Sequence, residues 1–353
     1  MTAKKIRVMI VDDSLTVRTI FKRMIEGDRG MEVVGTASSA ERAIAQLKSI
    51  QVDVILLDLE MPGMGGLEAL PSLLETGKDA EVLVVSSLTS DGAEHTISAL
   101  SMGAAETMLK PRPGGFNEEY RHQLLSKIRA LGQSEEPQQG EEPQQCEPAT
   151  QKVRRGKRPQ LLAIGASTGG IHALNLLLRG LSPEFNLPIL ITQHLPSTFV
   201  PVFARQIEMV SARPTRIAED GTEIRSGEVA IAPGHGHMLV HNQGDRLVTR
   251  TSSKPSRSGC MPSVDPMLSS IAKACEGRAL AVILSGMGRD GLEGARELVD
   301  SGGTIFAQDM ETSAVWGMPG AVAKAGLAGL VAPPDELGKA VMDFAPTLER
   351  ARK

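Results

Sequence analysis

Short aliphatic runs separated by stretches with helical spacing of apolar residues fill the chain from residue 6 to residue 131. The runs at 6–11, 33–36, 54–57, 82–85 and 107–109 read as strands. Helical patterns occupy the gaps, and a fifth helix is expected at 117–131. Parallel strands need helical crossovers, so this region is expected to be α/β: a five-stranded, doubly wound, flavodoxin-like parallel sheet. A ligand would sit at the C-terminal ends of its strands.

The pattern breaks at 132–158, which is rich in Glu, Gln and Pro and repeats Glu-Glu-Pro-Gln-Gln twice. So short a repeat with no apolar face cannot stack into a core, and the segment is expected to be a flexible linker between domains 1–131 and 159–353. Aliphatic runs resume at 161–164, 189–192, 229–232, 238–241, 281–284 and 304–307. Helices are expected after Gly170, Ser197, Val264 and Asp290 and near the C-terminus. The second domain is therefore expected to be mostly parallel, doubly wound α/β as well, with a hairpin around Asn242.

Composition narrows the function. At 353 residues two domains are the natural count, and with only 3% aromatic residues their cores must be aliphatic. A net charge of −4 and no recognition-helix pattern argue against a nucleic-acid partner. The run 6–11 is too short to span a membrane and enters Asp12 and Asp13 directly, so neither membrane insertion nor a signal peptide is expected, and the location read is cytoplasmic. Cys146, Cys260 and Cys275 are odd in number and lack C-x-x-C spacing, which fits free thiols in a reducing compartment. His235, His237 and His241 cluster in sequence, but no Cys, Asp or Glu completes a metal-ligand set beside them.

Chemistry gathers at the strand ends of the first domain. The first strand ends in Asp12 and Asp13, the third in Asp58, the fourth in Ser86 and Ser87, and the fifth in Lys110. Three carboxylates so close repel one another unless a hard cation such as Mg²⁺ lies among them. A hydroxyl and a lysine opposite would hold the oxygens of a phosphoryl group, with Asp58 as its nucleophile. Taken singly, each Asp could merely cap the helix that follows, as Asp13 or Ser14 could near Leu15. The stretches Val-Asp-Asp-Ser, Leu-Leu-Asp-Leu-Glu-Met-Pro, Val-Val-Ser-Ser and Leu-Lys-Pro resemble response-regulator receiver domains over residues 5–131. That resemblance implies Asp58 as phospho-acceptor, Mg²⁺ held by Asp12, Asp13, Asp58 and the Glu60 carbonyl, and Ser86 and Lys110 as the switch pair. It also implies a sensor histidine kinase as phosphodonor and a cis Lys110–Pro111 bond. Thr107 departs from the pattern where receivers often carry an aromatic residue.

In the second domain Gly165-Ala166-Ser167-Thr168-Gly169-Gly170 follows a strand and precedes a helix, the context of a nucleophile elbow. A glycine-rich phosphate loop has the same context. His194 and Asp290 also follow strands, so a serine, an imidazole and a carboxylate could share one crevice, with His194 as base and Asp290 as its orienter. Alone, His194 would be an ordinary polar strand-end residue and Asp290 a helix cap. The chain order Ser, His, Asp differs from that of α/β-hydrolases. The runs Gly-Ala-Ser-Thr-Gly-Gly, Thr-Gln-His, Ala-Pro-Gly-His-Gly-His-Met, Cys-Met-Pro-Ser-Val-Asp and Ser-Gly-Met-Gly-Arg-Asp-Gly resemble the chemotaxis protein-glutamate methylesterases, which also place receiver, linker and catalytic domain in this order. The resemblance implies phosphorylation-activated hydrolysis of glutamate γ-methyl esters on methyl-accepting chemoreceptors, with deamidation of selected receptor glutamines. It implies Ser167, His194 and Asp290 as the triad, with the Met287 backbone amide and Thr168 supporting the oxyanion, and no cofactor for the ester step.

Overall fold

The computed structural model describes residues 4–87, 89–111, 115–132, 157–244 and 246–344. The chain divides into two compact units, Met1–Gln144 and Gln145–Lys353. Most of the expected linker lies outside the described residues.

The first unit alternates β1 (Ile6–Val11), α1 (Leu15–Glu26), β2 (Met31–Ala37), α2 (Ala40–Leu47), β3 (Val54–Asp58), α3 (Gly66–Gly77), β4 (Glu81–Ser86), α4 (Ser90–Met102), β5 (Glu106–Leu109) and α5 (Glu118–Gly132). Its parallel sheet has the order β2-β1-β3-β4-β5. The switch point therefore falls between β1 and β3, the strands that end in Asp12 and Asp58. All five residues of β3 are buried, as a strand covered by helices on both faces requires. Ser14 Oγ accepts the Val17 N–H and caps α1, so Asp12 and Asp13 are not needed for that role.

The second unit contains β6 (Leu162–Ala166), α6 (Gly170–Arg179), β7 (Ile189–Gln193), α7 (Val200–Ser211), β8 (Thr215–Ile217), β9 (Val229–Ile231), β10 (His237–Gln243), β11 (Arg246–Ser252), α8 (Val264–Ala274), β12 (Leu280–Ile283), α9 (Leu292–Asp300), β13 (Thr304–Gln308), α10 (Gly317–Lys324), β14 (Ala328–Ala332) and α11 (Pro334–Phe344). Seven strands form a parallel sheet in the order β14-β13-β12-β6-β7-β9-β8, and β10 with β11 makes a separate antiparallel hairpin. The expected strands all form, and so does the hairpin beyond Asn242.

Two strands and one helix exceed the expectation. β8 has three half-buried residues and lies at the sheet edge, and β14 is the other edge and rich in small residues. Neither offers the dense aliphatic run of a central strand. α10 begins Gly-Met-Pro-Gly, whose glycines and proline have weak interior helix preference, and is held by packing of Met318 and Val322 into the core. That core also takes one face of α8, where Val264, Met267, Leu268 and Ile271 are fully buried. At about 1.5–3 kcal/mol per buried aliphatic side chain, this face holds the N-terminus of α8 firmly against the sheet.

Candidate active site and candidate phosphorylation site

Both sites stand on strand ends. In the first unit, carboxylate oxygens of Asp12, Asp13 and Asp58 lie within 4.8 Å of one another. Lys110 Nζ pairs with Asp58 Oδ2 at 2.5 Å and with Asp12 Oδ2 at 3.2 Å. Asp58 Oδ1 accepts the Glu60 N–H at 3.1 Å, which places Glu60 directly beside the Asp58 carboxylate. Burial pushes the Asp58 carboxyl up to about 6, against the pull of Lys110. For Lys110, burial acts against the charged form, but the hydrogen bonds and charges of Asp58 and Asp12 together outweigh it and raise its pKa. An all-oxygen cluster of this kind suits Mg²⁺, which would supply the positive charge the burial of Asp58 calls for. Ser86 Oγ is buried at the end of β4 with no hydrogen-bond partner among the described residues, a donor suited to a phosphoryl oxygen. Thr107, on neighbouring β5, likewise buries its hydroxyl without a partner. The Lys110–Pro111 bond is not cis; the cis bond among the described residues is Met261–Pro262. The trans form is the default for X–Pro, and nothing here overrides it.

In the second unit β6 lies between β12 and β7. Ala166 and Gln193 are the last register partners of β6 and β7, so Ser167 and His194 leave the sheet side by side. The His194 N–H donates to the Ala166 carbonyl at 3.0 Å. Gly169 has φ +74° at the N-cap of α6, a conformation glycine adopts without strain, and it turns the chain sharply after Ser167. The elbow is clamped from both sides. The Ser167 N–H donates to Ser285 O at 3.0 Å, Gln193 Nε2 donates to Ser167 O at 2.9 Å, and Ser285 Oγ donates to Thr168 O at 2.7 Å. Because the Ser167 and Gly170 amides are spent inside the loop, they are not turned outward as a phosphate cradle needs. This separates the two readings the motif left open.

Asp290 arrives from the loop after β12. It does not cap its own following helix, since Gly291 occupies the N-cap of α9. Instead its carboxylate sits on the N-terminus of α8, accepting Val264 N–H at 2.7 Å, Asp265 N–H at 3.4 Å and Ser263 Oγ–H at 2.6 Å. His194 Nε2 bonds Asp290 Oδ2 at 2.7 Å. Burial alone would raise the Asp290 carboxyl, but His194, Ser263 and Val264 hold it well below the usual carboxylate range. For His194, burial lowers the pKa, and the bond to Asp290, followed by Cys260, overcomes it and raises the ring to about 9. Ser167 Oγ and the His194 ring occupy adjacent strand ends without a hydrogen bond between them, so of the three it is the imidazole–carboxylate pair that is closed here.

Gly286 brings the opposite wall close: a Cβ there would lie 2.8 Å from Ser167 Cβ. Its carbonyl accepts the Met318 N–H at 2.8 Å, which fixes the peptide plane that carries the Met287 N–H. Sequence reasoning missed Ser263, Ser285 and Gln193. All three stand inside the motifs read from the sequence, yet only contacts across the fold reveal their roles. His237 also gains one: its Nδ1 accepts the Ser263 N–H at 3.0 Å and its Nε2 donates to Lys254 O at 2.8 Å. This buried ring is a neutral brace for the residue that holds Asp290, and His235, His237 and His241 form no metal-ligand group among the described residues.

Comparison with known proteins agrees with this geometry. Residues 162–341 match the CheB methylesterase family model and residues 8–115 the response regulator receiver domain. A protein of Paramagnetospirillum magneticum, "Protein-glutamate methylesterase/protein-glutamine glutaminase 1", is 41% identical over 96% of both chains. One of Caulobacter vibrioides with the same designation, numbered 2, is 41% identical over 94% of this chain and 96% of its own. The crystal structure of the Thermotoga maritima CheB methylesterase catalytic domain covers 53% of this chain and 99% of its own, with 33% identity and a TM-score of 0.52. Among the described residues, no helix is long and apolar enough to cross a membrane. With a receiver domain ahead of a hydrolase domain whose strand ends present a serine, an imidazole and a carboxylate, the chain belongs to the CheB methylesterase family.

Proposed function

We propose that the chain is a phosphorylation-controlled protein-glutamate methylesterase that also deamidates glutamine, acting on methyl-accepting chemoreceptors in the cytoplasm. The observation that supports it most is the closed His194–Asp290 pair beside Ser167. In this reading Ser167 Oγ attacks the γ-ester carbonyl and His194 takes its proton. Asp290 keeps the ring oriented and stabilises the imidazolium that forms. The N–H of Met287, on a peptide fixed by Met318, and that of Thr168 meet the oxyanion. His194 then protonates the departing methoxide, or ammonia from a glutamine, and water completes the cycle through the same base. In this reading the proton passes from Ser167 Oγ to Nδ1, the imidazole nitrogen that does not face Asp290.

In the receiver, Asp58 accepts a phosphoryl group from a sensor histidine kinase. Asp12, Asp13, Asp58 and the Glu60 carbonyl would hold Mg²⁺, which offsets the charge brought by the incoming group. Lys110 and Ser86 take phosphoryl oxygens, and the Ser86 hydroxyl, otherwise unpartnered, gains an acceptor there. The test is methanol release from methylated receptor, with and without a small phosphodonor. Release that depends on Ser167 and rises on phosphorylation is expected; Ser167→Ala protein that keeps most of the rate would refute the assignment.

A further inference from the structure

Cys260 stands outside the reaction just described, yet the fold brings it to the reacting groups. Its Sγ, a ring nitrogen of His194 and a carboxylate oxygen of Asp290 all lie within 4.8 Å of one another. The three come from separate segments: the end of β7, the approach to α8 and the loop after β12. The thiol faces the ring within that distance, and Cys260 is only partly buried, so small solutes can approach it.

A tetrahedral zinc ion with bonds of about 2.0–2.3 Å sets its ligand atoms about 3.3–3.8 Å apart, so the thiol would close in by at most about 1 Å from the 4.8 Å outer limit of this cluster, and the His194–Asp290 pair, now at 2.7 Å, would open by about 0.6 Å to admit the ion. One nitrogen, one sulfur and one oxygen donor suit a borderline-soft divalent ion and not Mg²⁺, which the all-oxygen receiver cluster suits instead. Three protein ligands leave a fourth position for water. The support is already built: Asp290 keeps Ser263 Oγ and the Val264 N–H as donors while it turns toward an ion.

We propose that His194, Cys260 and Asp290 form a binding site for a thiophilic divalent cation, with Zn²⁺ as the probe, and that the bound ion switches the hydrolase off. The inhibitory part rests on the reading of His194 as general base. An ion between His194 Nε2 and Asp290 replaces the hydrogen bond that orients the ring and sets a positive charge against the imidazolium that must form when Ser167 gives up its proton, so occupancy opposes catalysis.

The experiment uses the full chain, reduced and stripped with a chelator, in excess Mg²⁺ to satisfy the receiver cluster. Co²⁺ titration should give one equivalent per chain with a thiolate-to-Co²⁺ charge-transfer band, which Zn²⁺ abolishes by displacement. Methanol release should fall more than tenfold at stoichiometric Zn²⁺ and return with chelator. Cys260→Ser should lose the band and need at least tenfold more Zn²⁺ for half-inhibition, measured against its own metal-free rate, while Cys146→Ser keeps both behaviours. Cys260→Ala repeats the test should the serine variant misfold. A Co²⁺ spectrum without the thiolate band, or equal Zn²⁺ inhibition in Cys260→Ser, would overturn the site. Full activity with the metal bound would overturn the switch. Should the metal-free protein release no methanol at all, the esterase reading fails, and the spectrum still decides the site.

Discussion

Ser263→Ala removes one buried hydroxyl that donates to Asp290 Oδ1 at 2.6 Å. After the change that oxygen retains only the Asp265 N–H at 3.4 Å, too long for a strong bond, while Oδ2 keeps Val264 N–H and His194. A hydrogen bond to a charged group contributes about 1.5–3 kcal/mol, so the variant should lose about 2 kcal/mol of stability at pH 7. The sign with pH follows from Asp290, whose folded pKa is depressed. Its contribution is present above the unfolded value of about 3.9 and fades as pH falls toward the folded one, so wild type and variant should converge in acid. Losing a donor also makes the carboxylate more basic, which strengthens its hold on the imidazolium. The alkaline rise of esterase activity should therefore move to higher pH, an effect that a merely structural serine would not produce. Because Oδ2 remains anchored, kcat should drop about tenfold, well short of the roughly 10⁴-fold loss seen when a triad carboxylate becomes an amide. Urea unfolding at pH 7 and at a series of pH values below the unfolded value of about 3.9, with a kcat/KM profile, reads all three effects. A variant within 0.5 kcal/mol of wild type at pH 7, with an unmoved profile, would refute the account of Asp290 as an anion held on the α8 terminus.

Activity of the metal-free enzyme should climb as pH rises toward about 9, where His194 becomes neutral, and Asp290→Asn should shift that limb down toward the ordinary histidine value, as a pH–rate series would show. The same raised pKa stabilises the fold fully below about 6.5 and is lost as pH passes through the folded value, so wild type should lose stability between those limits and Asp290→Asn much less, measured by urea unfolding. Gly286→Ala would set a Cβ 2.8 Å from Ser167 Cβ and 2.4 Å from Met318 Sδ. The displaced elbow should cost at least about 100-fold in kcat with circular dichroism unchanged. Phosphate incorporation from a small phosphodonor should vanish in Asp58→Asn and in EDTA, and labelling that persists in EDTA would refute the carboxylate cluster as a metal site.

Read by itself, the sequence determined the two α/β units and the receiver cluster, because both depend on local pattern. Each parallel strand is a short aliphatic run covered on both faces, and each site residue directly follows such a run. Asp12 and Asp58 end strands that the fold order makes neighbours, and Ser167 and His194 follow residues that pair in register. Edge strands β8 and β14 escaped because burial on fewer sides demands fewer apolar residues, and α10 because packing overrides its weak propensity. Tertiary structure alone decided what holds the chemistry in place. The donors to Asp290 lie 25 to 27 residues earlier in the chain, on the end of a helix whose position is set by the burial of Val264, Met267, Leu268 and Ile271. Cys260 reaches His194 only because that same helix is anchored there, and three cysteines without regular spacing give no local sign of it. Periodicity reports which face of an element is apolar; which foreign side chain meets its end is fixed by long-range packing, and that is where the charge of Asp290 and the basicity of His194 are set.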